Sequence, residues 1–412
     1  MIKTLNIRLY PTKEQERLMY NHIGCMRFVY NWGLAKQIEN FKKTGKKLTA
    51  TDLGKKLTLL KNTQGYEWLY GVSNASLKES LRDLDKAYQR FFKTQKEREK
   101  YAKAKIQKSV RTGKLLGAYD LKGHPKFKSK KKAEPKFYSR YDKIYFKEDI
   151  VNLEKIGKVK YRCDYEIDLT TIEKFTNPRV IFSGRVWILS VGVDIENPNT
   201  QLEDKVLAID LGIKKLAVVN IDGLDVVNIN KTKVVKNLEK KLKRLQRQCS
   251  RKYEINKTKM KGGENRYQKT ANIVKLEKKI KKLHGQLKNI RLDHIHQATA
   301  KMVKAKPSVV VMEDLKVSNM MKNKHLSKAI GQQGFYTFIN QMKYKCQWHG
   351  IKFIQAPTFY PSSKTCSSCK EIKKDLKLSD RIYKCKCGFT CDRDKNATYN
   401  LENYGLVKSQ AV

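Results

Sequence analysis

The chain alternates first. Ile2, Leu5, Ile7 and Leu9 sit among polar neighbours, and Pro11 ends the run, the pattern of a half-buried strand. From Thr12 to about Lys105 the period changes to helical, with no proline. Leu77, Leu81, Leu84, Tyr88 and Phe91 recur at three- and four-residue spacing, one apolar face of a helix. Ile106 to Phe137, with GHPKFKSKKKAEPKF, reads as a basic connector. From Tyr138 to Ile195 β character returns, and two apolar runs around Ser183-Gly184 predict a hairpin. A helical block inserted into a β domain is the economical topology for the first 200 residues.

Asn197 to Asp204 is a polar linker. Strands are then predicted at Val206–Asp210, Leu216–Val219 and Val226–Ile229, with a tight turn at Asp222-Gly223. Lys231 to Lys304 is helical and carries two seams. Leu238, Leu242 and Leu245 form one; Leu276, Ile280, Leu283, Leu287 and Ile290 form the other at near-heptad spacing. Gly262-Gly263 separates them, so an antiparallel helical hairpin is expected. A buried strand, Val309–Met312, ends at Glu313; a helix over Phe335–His349, a strand over Ile351–Gln355 and a terminal helix from Ala397 complete the outline. The fold class is mixed α/β, with several domains.

Charge narrows the function. Lys+Arg number 89 and Asp+Glu 40 among 412 residues, a formal net charge of +49. Such a charge strains a compact state unless a polyanion lies against it. The sequence offers neither an apolar membrane span, an anchor helix nor a signal segment, so nucleic acid is the expected partner, no membrane is expected, and a bacterial cytoplasm fits. Nine cysteines suit a reducing compartment. Cys25, Cys163, Cys249 and Cys346 lie far apart and read as small buried hydrophobes.

The other five cysteines fall within 26 positions. Cys366-x-x-Cys369 and Cys385-x-Cys387 are separated by 15 residues, and each pair can form a knuckle, Gly388 supporting the second. Four thiolates there can hold one structural zinc. The second pair departs from the usual Cys-x-x-Cys spacing. Cys391 can either replace one ligand or pack as a core residue, and a redox pair is the competing reading.

Acids are scarce, yet the clearest strands end in them. Asp210 follows VLAI, Glu313 follows VVVM, and Asp392 and Asp394 precede the last helix. A lone Asp after a strand is ordinarily a turn residue. Three acids at element ends can instead converge on one sheet edge and hold two magnesium ions for phosphodiester hydrolysis.

AIDLGIKKLAVV, VVVMEDLKVSNMMKN, FYPSSKTCSSCK, LSDRIYKCKCG and DRDKNATYNLENYG, in that order, resemble the TnpB nucleases of transposons, ancestral relatives of the compact type V CRISPR effectors. NIRLYPTKEQ and GHPKFKSKK extend the resemblance to most of the chain. It implies a RuvC-like nuclease domain of RNase H fold with an inserted zinc ribbon. Before it would stand a β-barrel-like wedge domain with a helical recognition insertion. On this sequence that gives wedge at 1–11 and 111–200, recognition at 12–110, nuclease at 201–360 with a hairpin at 231–304, zinc ribbon at 361–391 and the last nuclease motif at 392–412. Asp210, Glu313 and Asp394 would be catalytic and hold two Mg2+, Asp394 being favoured over Asp392 by its place two residues before Asn396. Cys366, Cys369, Cys385 and Cys387 would hold one Zn2+. The implied partners are a guide RNA and target double-stranded DNA, with the protein monomeric in a ribonucleoprotein. The rivals are a compact type V effector, a guided repressor without useful cleavage, a transposase and a nucleic-acid packaging protein.

Overall fold

A computed structural model describes residues 2–93, 123–165, 167–172, 174–196, 198–259, 265–377 and 380–410. The connector residues 106–122 and the Gly262-Gly263 break fall outside these. The chain divides into two compact units, 1–195 and 196–412.

The first unit is built on a seven-stranded antiparallel half-barrel. Its strands are β1 (Ile2–Tyr10), β2 (Lys136–Tyr138), β3 (Phe146–Lys147), β4 (Ile150–Leu153), β5 (Gly157–Arg162), β6 (Thr176–Phe182) and β7 (Trp187–Asp194), in the order β2-β6-β7-β1-β5-β4-β3. β1 therefore pairs with β7 along its length and with β5 at its end. Leu5, Ile7 and Leu9 point into the core, and the alternate positions do not. β6 and β7 form the hairpin expected around Ser183-Gly184, with Gly184 in the left-handed region.

The helical block expected from Thr12 onward holds three helices among the described residues: α1 (Lys13–Thr44), α2 (Ala50–Lys61) and α3 (Asn74–Lys93). The Thr12 hydroxyl accepts from the Gln15 N–H while the Gln15 side chain accepts from the Thr12 N–H, a reciprocal cap. Gly45, in the left-handed region, ends α1. Met19, Ile23 and Met26 of α1 pack on the sheet, and Cys25, Val29 and Leu34 on α2 and α3. One helix thus serves two cores.

The second unit centres on a five-stranded sheet of β8 (Glu203–Leu211), β9 (Lys215–Val219), β10 (Val226–Val227), β13 (Pro307–Glu313) and β14 (Lys352–Ala356), ordered β10-β9-β8-β13-β14. β8, β9 and β10 are antiparallel; β13 runs parallel to both β8 and β14. Between β10 and β13 the chain makes α4 (Lys233–Ile255), a small ribbon of β11 (Lys257–Lys259) and β12 (Asn265–Tyr267), and α5 (Ala271–Lys304). Val235, Leu242, Leu283 and Leu287 form the buried seam between these helices. After β13 come α6 (Val317–Met320), α7 (Ser327–Gln333) and α8 (Phe335–Trp348); α5, α7 and α8 cover one face of the sheet. The other face meets α9 (Arg393–Gln410) through Leu401. A Cβ on Gly405 would lie 2.4 Å from Val311 Cγ2, so the glycine lets α9 press onto β8 and β13.

Two expectations need correcting. The terminal helix begins at Arg393, not Ala397, because Asp392 caps it: its Oδ1 accepts from the N–H groups of Asp394 (2.9 Å) and Lys395 (3.2 Å). Cys163 is half-buried at the end of β5 rather than in the core, whereas Cys25, Cys249 and Cys346 are buried. No helix among the described residues is long and apolar enough to cross a membrane.

Candidate carboxylate and thiolate sites

Parallel pairing brings two acids together. Met312 is in register with Ile209, so Glu313 and Asp210, each one residue further on, emerge side by side at the carboxyl ends of β13 and β8. Asp394 approaches from the first turn of α9, where a carboxylate also suits the helix dipole. Burial, then the fields of Glu313 and Asp394, push the Asp210 carboxyl well above the usual carboxylate range. Burial raises Glu313 too, with the Ser362 hydroxyl pulling the other way as a hydrogen-bond donor. Among the described residues neither Asp210 nor Glu313 forms an ion pair. Asp394 has the Arg393 Nε at 4.0 Å.

The lysine that follows Asp394 in sequence does not neutralise this edge. Lys395 Nζ is spent on the carbonyls of Val219 (2.9 Å) and Asn220 (3.1 Å) and on Asp222 (2.8 Å). Acids that repel one another, two of them without an ion pair among the described residues, offer hard oxygen donors that fit a divalent cation.

The four cysteines form a second site. Their sulfurs all lie within 4.8 Å of one another, with Cys366 and Cys387 at 3.7 Å and Cys369 and Cys385 at 3.5 Å. These distances exceed a disulfide and match the roughly 3.8 Å edge of a tetrahedron of thiolates about 2.3 Å from zinc. Each knuckle needs a left-handed residue, Lys370 in the first and Gly388 in the second. The Phe389 N–H and the neighbouring thiols hold Cys387 down at about 7. Cys391 stands outside the group of four, in a two-stranded ribbon of β15 (Ile382–Lys384) and β16 (Thr390–Asp392).

The two sites share a strut. Ser362, Asn396 and Asn400 are buried and hydrogen-bonded between α9 and the segment leading to Cys366. They lie within FYPSSKTCSSCK and DRDKNATYNLENYG, motifs whose spacing alone assigns them no role. The i, i+4 spacing of the asparagines beside Ala397 and Leu401 is the available signal.

Three family models match the chain: "Helix-turn-helix domain" over residues 1–46, "Probable transposase" over 190–324 and "Cas12f1-like, TNB domain" over 335–401. In 2–46 the structure has β1 and one unbroken α1 rather than two helices about a turn. The chain is 28% identical to "Putative RNA-guided DNA endonuclease InsQ" of Escherichia coli (strain K12), covering 97% of this chain and 91% of that protein. It is 25% identical to "Putative RNA-guided DNA endonuclease" of Streptomyces pristinaespiralis, covering 99% and 90%. Among solved structures it resembles "the mini-RNA-guided endonuclease CRISPR-Cas_phi3" with a TM-score of 0.51, 9% identity and coverage of 98% and 92%, a likeness of fold.

Proposed function

Because the chain belongs to the TnpB family, we propose that it is a transposon-encoded RNA-guided DNA endonuclease, cutting DNA complementary to its guide beside a short flanking motif read by the protein. The observation that carries the reading is the meeting of Asp210 and Glu313 on adjacent parallel strands with Asp394 opposite.

The strand order β10-β9-β8-β13-β14, three antiparallel and then two parallel, supports a RuvC-like domain of RNase H fold over 201–360 and 392–412. The half-barrel supports a wedge domain at 1–11 and 111–200, with α1 to α3 as the recognition insertion within 12–110. The thiolate cluster supports a zinc ribbon at 361–391, held by Cys366, Cys369, Cys385 and Cys387.

Asp210, Glu313 and Asp394 would hold two magnesium ions. Bound there, such ions activate water and stabilise the departing oxygen in phosphodiester hydrolysis. The chain's own part is placement. β8 and β13 fix two carboxylates on a rigid sheet edge, and Asp392 and Gly405 fix the third by setting where α9 starts and how closely it packs. Basic side chains on α4 and α5, among them exposed Lys240, Lys241, Lys243, Arg244, Lys278 and Lys282, provide counter-charge for a nucleic-acid backbone.

The test has two steps. RNA purified with the protein is sequenced, and a plasmid matching its variable segment is offered with Mg2+ or EDTA. One dominant RNA and magnesium-dependent cutting, abolished in Asp210→Ala with target binding retained, are expected. Diffuse cellular RNA, wild-type cutting by that variant, or joining of strands in place of cutting would overturn the reading.

A further inference from the structure

Glu313 ends a strand, and nothing in a strand's backbone fixes how its terminal carboxylate is turned. Ser362 does. Its hydroxyl donates to Glu313 Oε1, although the two lie 49 residues apart, and its own surface is only 3% exposed. The backbone that carries it is clipped to α9. Asn400 Nδ2 donates to the carbonyls of Ser362 (2.8 Å) and Thr365 (2.6 Å). Asn396 Nδ2 donates to Thr365 O at 2.7 Å, and its Oδ1 accepts from the Ser367 N–H at 3.1 Å. Both asparagines are essentially inaccessible, at 0% and 1%. The helix that presents Asp394 thus also holds the serine that turns Glu313.

We propose that Ser362 is a positioning residue of the nuclease site: by holding Glu313 Oε1 it leaves Oε2 for the divalent cation, with Asn396 and Asn400 keeping the hydroxyl in place. The proposal rests on Glu313 being a metal-holding acid. A serine that merely satisfied a buried acceptor would affect stability and leave cation affinity unchanged. Partners that orient a metal ligand contribute about 10- to 100-fold to metal affinity.

The test uses the full chain with its co-purified RNA. Mn2+ binding is read by electron paramagnetic resonance, and single-turnover cleavage is followed against Mg2+ concentration. Ser362→Ala is expected to keep its zinc, to bind Mn2+ about 10- to 100-fold more weakly, and to need correspondingly more Mg2+ for half-maximal cutting. Ser362→Thr, which keeps the hydroxyl, is expected to restore both. If Ser362→Ala does not fold, Ser362→Cys, nearly isosteric with a weak donor, carries the test with the same expected direction. Wild-type Mn2+ affinity in a folded Ala or Cys variant overturns the proposal. Asp210→Asn separates the premise from it. If that variant binds Mn2+ like wild type, the carboxylate site itself is misassigned; if it loses binding while the Ser362 variants do not, only the role of Ser362 falls.

Discussion

Asp392 and Asp394 flank Arg393, and their surroundings give them different work. Asp392 spends an oxygen on the N–H groups that open α9, while Asp394 faces Asp210 across the sheet edge. The crowding at Asp210 has a measurable consequence. In EDTA, Asp210→Asn removes a repelling charge, so the variant should melt higher than wild type, by about 2–4 °C for each kcal/mol of repulsion relieved. Added Mg2+ should then raise the melting temperature of wild type but not of the variant; equal responses would count against the site. A second residue links the first unit to pH. Buried His22 has Leu18 O at 2.8 Å from Nδ1, and its Nε2 accepts from the Ser73 N–H at 3.2 Å, so the neutral ring fits and burial lowers its pKa. The unfolded chain takes up that proton first, near pH 6.5, so stability is lost as pH falls from there through the lowered value. Melting curves between pH 7.5 and 5 should decline more steeply for wild type than for His22→Asn.

At the scale of elements, α9 is the piece on which both sites depend. Gly405→Ala would place a methyl 2.4 Å from Val311 Cγ2 and 2.9 Å from Val206 Cγ1. Overpacking of this kind costs about 1–3 kcal/mol, and lifting the helix should also weaken Mn2+ binding through Asp394. Unchanged melting and binding would show that the sheet yields. Cys366→Ser with Cys369→Ser should lose zinc by elemental analysis and lower the melting temperature, since Thr365 and Ser367, on either side of Cys366, are the residues α9 grips. Much of this was legible in the sequence. β8 and β13 are apolar runs that end abruptly in acid, and the thiolate spacing is nearly sufficient alone. The start of α9 was not, because DRDKN reads as a turn until Asp392 is seen to be its cap. Nor were Asn396 and Asn400, since asparagine ordinarily marks turns and caps and only tertiary packing makes it a buried clip. β3 and β4, six residues together, are too short to carry a period.

For the whole molecule the dominant quantity is +49. Its basic side chains are spread over α4 and α5 in a manner suited to a long backbone rather than to one groove. Guide RNA should therefore raise the melting temperature strongly at low salt, and the rise should shrink as salt increases, because binding releases counterions. A rise that ignores salt would assign RNA binding to stacking instead.

The place of β1 has a consequence for how the protein is made. It leaves the ribosome before every other strand of its sheet, yet its full-length neighbour β7 ends at Asp194. At about 5–20 residues per second, β1 waits on the order of 10–40 s with its ladder open. An unpaired edge with Leu5, Ile7 and Leu9 on one side is a template for other nascent chains. Exposed Arg8 is a partial guard, and α1, which packs on the same sheet, can shield it early. Ribosome spacing on the message, set by initiation rate, should thus decide how much of this protein reaches its native state.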